Sequence, residues 1–264
     1  MSDVKSKYFV KADEILDNGN LRSLLEQYLE KQQTLIQSEG RDDYIRRWQF
    51  SPHPLQDELV SPQFLDQLTE HHGDIYTDTW QYAPSSKVSM TPVNETTKRK
   101  RMLPLPHFED TRTIVAGITG QLIKELPRLR WLAGDSVDSL PQTNTPKPFH
   151  TSGRFLYPPG GCMGWHTNHD IPGHRIYISY AEEPNQSFLR YRDPETGEIK
   201  TDWDSGWNIR MFETGYRELF WHCVSSNTFR YSLGFRAEFP AISWDSTSYN
   251  ATRGNATLPE HSAP

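Results

Sequence analysis

A chain of 264 residues, 35% hydrophobic and 12% aromatic, is long enough for one large domain or a domain with a helical annex. It is also too rich in Trp, Tyr and Phe for disorder to be its main state. Its 28 Lys and Arg against 34 Asp and Glu leave a formal charge of -6, which weighs against a nucleic-acid partner. No apolar run approaches the roughly 20 residues of a membrane span, and MSDVKSKYFVKADE lacks the apolar centre of a signal peptide. Two cysteines, Cys162 and Cys223, cannot build a disulfide framework. These bounds predict a soluble, cytoplasmic, globular protein with no membrane partner.

The chain opens helical and irregular. Leu21, Leu24, Leu25 and Tyr28 recur at helical spacing within NLRSLLEQYLEKQQTLIQ, with Asn20 as candidate cap. SPQFLDQLTEHH predicts a short second helix, with Ser61 before Pro62 at a favoured first position. The basic run Lys98 to Arg101 reads as a solvated loop or strand flank, a contact to phosphate or an acidic substrate being the sharper alternative. TRTIVAGITGQLIKELPRL predicts a third helix that tolerates Gly117 and Gly120 and stops before Pro127. SVDSLPQTNTPKP is a surface connection.

After Pro148 the texture changes. SGRFLY, RIYISYA, QSFLRYR, WNIRMFE and TFRYSLGFRAEF are short, alternating and rich in aromatic and β-branched residues, and PPGG, IPG, DPETG and DSG punctuate them. About seven short strands without helical pattern between them predict a double sheet or barrel of jelly-roll type. The fold class is therefore mainly β with α-helical additions. Residues 1–149 form a helical and irregular region packing on the core, 150–240 the core, and 241–264 a polar tail.

The informative stretch is YPPGGCMGWHTNHDIPGHRIYISY, followed later by WHCVSSNTFRYSLGFR. Side chains at i and i+2 of a strand share a face, so His166 and Asn168 point the same way, as do Arg230 and Ser232. His222 lies close enough ahead of Arg230 for the two to occupy neighbouring strands of one barrel. Two imidazoles, an amide or carboxylate oxygen, and a guanidinium with a hydroxyl then share one mouth. That donor set suits a divalent metal and a small dianionic acid.

These strings resemble the iron(II)- and 2-oxoglutarate-dependent oxygenases. The core of that family is a double-stranded β-helix, and its signature is His-x-Asp/Glu, a distal His, and Arg-x-Ser. The matching strings are His166-Thr167-Asn168, His222 and Arg230-Tyr231-Ser232. The surroundings, GWHTNHDIPG to RYRDPETGEIKTDWD, resemble in particular oxygenase-like proteins of marine bacteriophages and bacteria. The resemblance implies Fe(II) held by two imidazoles and one oxygen ligand. It implies 2-oxoglutarate as co-substrate, its far carboxylate on Arg230 and Ser232, with Tyr177 as a further contact. With dioxygen, such a site hydroxylates an unactivated C–H bond of a small molecule or peptide residue and releases succinate and carbon dioxide.

One departure matters. Where the family carries Asp or Glu, this chain carries Asn168, neutral and a poorer donor. Three arrangements are open: Asn168 ligates directly, Asp170 supplies a carboxylate from a bulged or shortened strand, or the position holds no protein ligand, as in the family's halogenases. A degenerate site is a fourth.

Neighbouring residues have plainer readings. His169 faces away from His166 on a regular strand, so it and His174 are structural. Tyr157 and Tyr180 are packing residues or contacts to bound acids. Arg175 and Arg190 are strand ion-pair partners or contacts to an acidic substrate. Cys162 and Cys223 are small buried thiols, Cys223 alternating away from His222. Two other classes compete with the oxygenase: a metal hydrolase, for which Arg230 and Ser232 are superfluous, and a non-catalytic binding protein that kept the barrel and lost its iron chemistry.

Overall fold

Apolar side chains at helical spacing in the N-terminal half need an apolar surface to cover, and the strands that follow supply it. The computed structural model describes residues 8–52, 56–69, 102–105, 109–133, 149–168, 173–214 and 219–237. Helix α1 (Gly19–Glu39) buries Leu21, Leu25, Tyr28, Leu29 and Ile36. Its cap is Asn18 rather than Asn20: Asn18 Oδ1 accepts from the backbone N–H groups of Asn20 and Leu21 at 3.0 and 3.1 Å. The Asn18 amide also donates to Glu125 Oε1 at 2.7 Å, so the cap ties two helical segments together.

Helices α2 (Arg41–Arg47) and α3 (Gln56–Leu59) follow. Residues 62–69 form α4, with Ser61 Oγ accepting from the Phe64 N–H at 3.1 Å, as the sequence predicts. Helix α5 (Glu109–Lys124) stops before Pro127, but the chain then re-enters a helix the sequence did not announce, α6 (Leu126–Ala133). Pro127 sits in the first turn of α6, where its missing N–H has no intrahelical partner to lose. Gly117 of α5 lies against α1, where a Cβ would stand 3.2 Å from the Leu24 methyl carbons. Close helix approach, not turn formation, explains a glycine in mid-helix.

Among the described residues ten strands occur, in chain order: β1 (Phe9–Lys11), β2 (Leu103–Pro104), β3 (His150–Tyr157), β4 (Gly161–His166), β5 (Gly173–Ala181), β6 (Ser187–Arg192), β7 (Ile199–Trp203), β8 (Gly206–Thr214), β9 (His222–Ser226) and β10 (Arg230–Ala237). They form a six-stranded sheet, β1-β8-β5-β10-β3-β2, and a four-stranded sheet, β4-β9-β6-β7. From β3 onward the chain passes back and forth between the two sheets, and the pairings are antiparallel. This interleaving defines a double-stranded β-helix, or jelly roll. The N-terminal region adds more than helices, because β1 pairs with β8 and β2 with β3.

Strand alternation sorts the apolar residues into three layers. Ile176, Ile178, Ile209, Met211, Leu233 and Phe235 face outward from the large sheet and pack on the N-terminal helices. Tyr157, Leu189, Tyr191, Phe212, Phe220 and Val224 fill the space between the sheets. Cys162, Trp165, Trp221 and Cys223 lie behind the small sheet, under Val60, Leu65 and Leu68 from the α3–α4 segment. Arg41 fastens the helices to the barrel through both guanidinium nitrogens on Glu182, at 2.9 and 2.7 Å. The basic run Lys98 to Arg101 and the tail 241–264 lie outside the described residues.

The cap assignment has a direct test. Asn18→Ala should lower stability by about 1 kcal/mol in urea denaturation, and Asn20→Ala should change it by less than about 0.5 kcal/mol. The reverse order would return the cap to Asn20.

Candidate active site

A single extra residue aims the first histidine. On β9, Val224 and His222 are two positions apart and both face the interior. Their partners on β4 are Met163 and His166, three positions apart, so β4 bulges between them. The bulge sends Trp165 outward, where its indole N–H donates to the Ser61 carbonyl at 2.9 Å, and turns His166 inward. On β9 plain alternation suffices: Trp221 and Cys223 face out, and Phe220, His222 and Val224 face in. The α3–α4 segment grips both strands from behind, Gln56 donating to Ser225 Oγ at 2.6 Å.

The two imidazoles are neighbours, with ring centroids 4.0 Å apart. His166 Nδ1 lies 2.8 Å from the Gly164 carbonyl oxygen, and His222 Nδ1 lies 3.0 Å from that of Phe220. A carbonyl can only accept, so each Nδ1 carries a proton and each Nε2 is the nitrogen left for another partner. Burial, with His166 alongside, holds His222 well below the ordinary histidine pKa, so its ring is neutral. A neutral ring with a fixed tautomer is the form in which histidine ligates metals.

Asn168 meets them by a different route from the one the sequence suggests. Strand β4 ends at His166, and Asn168 follows with φ of 52°, a left-handed conformation that Asn tolerates better than most residues. Its amide nevertheless reaches the site, with Nδ2 3.1 Å from His222 Nε2 and 3.3 Å from the Tyr177 hydroxyl. A half-turn of the amide exchanges Nδ2 for Oδ1 in that position. Among the described residues no cluster of three or more His, Cys, Asp or Glu side chains forms, so the imidazoles meet no carboxylate there. Asp170 and His169 lie outside the described residues.

Arg230 and Ser232, on β10, do share a face, and both line the cavity that His166 and Tyr177 also line. His222 and Arg230 occupy consecutive strands but opposite sheets, so they face each other across the barrel instead of pairing edge to edge. Arg230 is 1% exposed, its guanidinium carbon 5.2 Å from the Tyr157 ring centre. Its Nε donates to Asp204 Oδ2 at 2.8 Å, while Nη2 is buried with no hydrogen-bond partner. A buried guanidinium donor left over at a cavity wall suits an anionic ligand. Gly234 keeps that wall open: a Cβ there would stand 2.7 Å from Ser152 Oγ and 3.3 Å from the Tyr177 ring.

The remaining candidates divide cleanly. Tyr157 lines the cavity, but Tyr180 faces the helices and packs on Trp207. Arg175 is buried near the site and acts electrostatically on Tyr177 and His222. Arg190 faces out instead, donating to Thr201 Oγ1 and to the Val60 carbonyl at 2.8 and 2.7 Å, so it anchors the α3–α4 segment and not a substrate. His174 is buried and its pKa is pushed down to about 4 by that burial, a structural imidazole. Cys162 and Cys223 are buried free thiols, and burial raises the Cys223 pKa.

Sequence reasoning missed Asp204. It stands after β7 in the string DWDSGW, where DSG signals only a turn. Asp204 is fully buried, accepting from Arg230, Arg210, Ser187 and Ser179. The one available signal was its i, i+2 spacing from Asp202, which also binds Arg210.

No family model matches the chain, and no curated protein sequence matches it. Among solved structures it is similar to a prolyl-4-hydroxylase from Pseudomonas putida, at 19% identity and a TM-score of 0.35 over 46% of this chain and 62% of that one. A prolyl hydroxylase from Trichoplax adhaerens, in complex with a hypoxia-inducible factor peptide fragment, matches at 13% identity and a TM-score of 0.35, over 53% and 62%. The dioxygenase for auxin oxidation 1 from Arabidopsis thaliana, bound to 2-oxoglutarate, matches at 17% and a TM-score of 0.36, over 69% and 80%. The chain thus spans 62% of the length of the first two.

Asp204 makes a pH prediction. Burial alone would raise its pKa, but Arg230 and Arg210 outweigh that and hold the carboxyl far below the usual carboxylate range. A depressed folded-state pKa stabilises the fold fully above the unfolded value of about 3.9, and the contribution is lost as pH falls below it. The urea midpoint should therefore be steady above about pH 5 and fall progressively as pH is lowered through about 4 and below. Asp204→Asn should flatten that slope; an equal slope in both chains would rule Asp204 out as its source.

Proposed function

We propose that this chain is an iron(II)- and 2-oxoglutarate-dependent oxygenase that hydroxylates an unactivated C–H bond of a small molecule or peptide residue. One observation carries the reading: two adjacent imidazoles, each with Nδ1 held on a backbone carbonyl, share a barrel interior with a buried, partnerless guanidinium donor. The donor set fits a ferrous ion at one end of the interior and a carboxylate at the other. When bound, iron and 2-oxoglutarate couple oxidative decarboxylation of the keto acid to oxidation of the substrate, with succinate and carbon dioxide as co-products.

The chain's own residues then have defined tasks. His166 and His222 hold the metal, their Nδ1 protons kept on backbone carbonyls so that neither ring can swing or change tautomer. Asn168 is the third protein donor once its amide oxygen turns inward. Arg230 and Ser232 take the far carboxylate, with the Tyr177 hydroxyl beside the metal end. The aromatic interior of Tyr157, Phe212 and Phe220 excludes bulk water from the reacting centre.

The Asn168 amide on His222 Nε2 also favours a second reading, a barrel that binds ligands without turnover. The deciding measurement is succinate formation from 2-oxoglutarate with ferrous iron and ascorbate, read even without the primary substrate. Turnover supports the oxygenase; metal binding with no succinate under any condition supports the second reading.

His166→Ala and His222→Ala should each abolish iron binding and succinate formation. Arg230→Leu should leave the metal bound but raise the half-saturating 2-oxoglutarate concentration at least about tenfold, since a charged hydrogen bond contributes about 1.5 to 3 kcal/mol. Unchanged co-substrate affinity would remove Arg230 from its role.

The third ligand is tested separately, by iron titration. Asn168→Asp restores a negative charge in the same shape and should tighten iron binding, and Asn168→Ala should weaken it. Loss of iron in Asp170→Asn, with both Asn168 variants unchanged, would transfer the position to Asp170.

A further inference from the structure

The cation at the cavity wall does not stand alone. Arg230 Nε is held by Asp204 Oδ2, and Asp204 Oδ1 is held in turn by Arg210 Nη1. Arg210 Nε donates to Asp202 Oδ2, and Asp202 Oδ1 accepts from Lys11 of β1 at 3.2 Å. Charges therefore alternate from the surface at Lys11 to the interior at Arg230. Lys11 also lies 3.5 Å from Asp13, and both of those side chains are part-exposed, so that end is screened by solvent. At the inner end Arg210, Asp204 and Arg230 are at most 1% exposed and carry one net positive charge; Asp202, which also meets Arg210, is 20% exposed and is itself countered by Lys11.

That sum decides what Arg230 can do. Paired with Asp204 alone, Arg230 would belong to a neutral buried ion pair with little attraction left for another anion. Arg210 occupies the other carboxylate oxygen and returns one positive charge to the group. Arg210 is not among the residues lining the cavity, so it acts at a distance. The Ser187 and Ser179 hydroxyls also donate to Asp204, fixing the carboxylate that fixes Arg230.

We infer that Asp204 and Arg210 are positioning residues for carboxylate recognition: Asp204 aims Arg230 by its Nε, and Arg210 cancels the charge Asp204 would otherwise take from it. The inference rests on the co-substrate reading above and extends it to two residues outside the cavity.

The test is a charge cycle on the iron-loaded full chain, with 2-oxoglutarate affinity read by calorimetry under nitrogen. Arg210→Gln leaves a neutral inner group and should weaken 2-oxoglutarate about tenfold or more, while Arg210→Lys, which keeps the charge, should stay within about threefold of wild type. Adding Asp204→Asn to Arg210→Gln restores one net positive charge, and its amide oxygen still accepts from Arg230 Nε. That double variant should recover most of the loss although it has lost more native contacts. Binding of 2-oxopentanoate, which lacks the far carboxylate, should be the same in all four proteins.

Wild-type affinity in Arg210→Gln, or a double variant as impaired as the single one, would overturn the inference, as would an equal loss for 2-oxopentanoate. Should Arg210→Gln fail to fold, the two charge-balanced variants decide, and binding below a tenth of wild type in both would overturn it. If wild type itself binds no 2-oxoglutarate, the co-substrate reading fails first.

Discussion

Withdrawing a guanidinium from water costs several kcal/mol unless a partner compensates it, and Arg210 and Arg230 are withdrawn on either side of the Asp204 carboxylate, with Asp202 on the outer side of Arg210. The arrangement holds only because every member is supported. Asp204 receives two guanidinium and two hydroxyl donors, from β5, β6, β8 and β10. Those strands belong to both sheets, so the cluster locks one sheet against the other at the end of the barrel where Arg230 sits. At the other end the histidines need no charge partner, since burial keeps His222 neutral and backbone carbonyls orient both rings. The interior is thus polarised, imidazoles at one end and a fixed cation at the other.

Much of this was legible in the sequence. The alternation of β3, β5, β6, β8 and β10 and the turn signals between them marked a double sheet, because strand period and turn chemistry are local properties. His222, Arg230 and Ser232 were placed on the interior by the same alternation. What stayed hidden depends on non-local geometry. The bulge that turns His166 inward shows only when β4 is laid against β9, and the Asp204 cluster joins residues of four strands in two sheets that no local pattern groups.

Asn168 reaches His222 by a local geometry other than the one its spacing suggests. The i, i+2 spacing predicted a shared strand face with His166, but the strand ends at His166 and Asn168 turns with positive φ. The side chain arrives beside His222 all the same. A positive φ and a place beside the histidines coexist at Asn168. The same residue type serves a backbone that must bend left-handed and a site that has room for one short amide.

The N-terminal strands have a consequence for how this protein avoids sticking to itself. The long strands β8 and β3 would border the large sheet if the barrel stood alone, and each would offer a row of unused backbone donors and acceptors. Instead, among the described residues, the borders are β1, three residues, and β2, two residues. Very short border strands give an incoming chain little to pair with. Residues far from the histidines in sequence thus act as selvedges on the fabric, and a chain begun at residue 150 would fray where the whole one is hemmed.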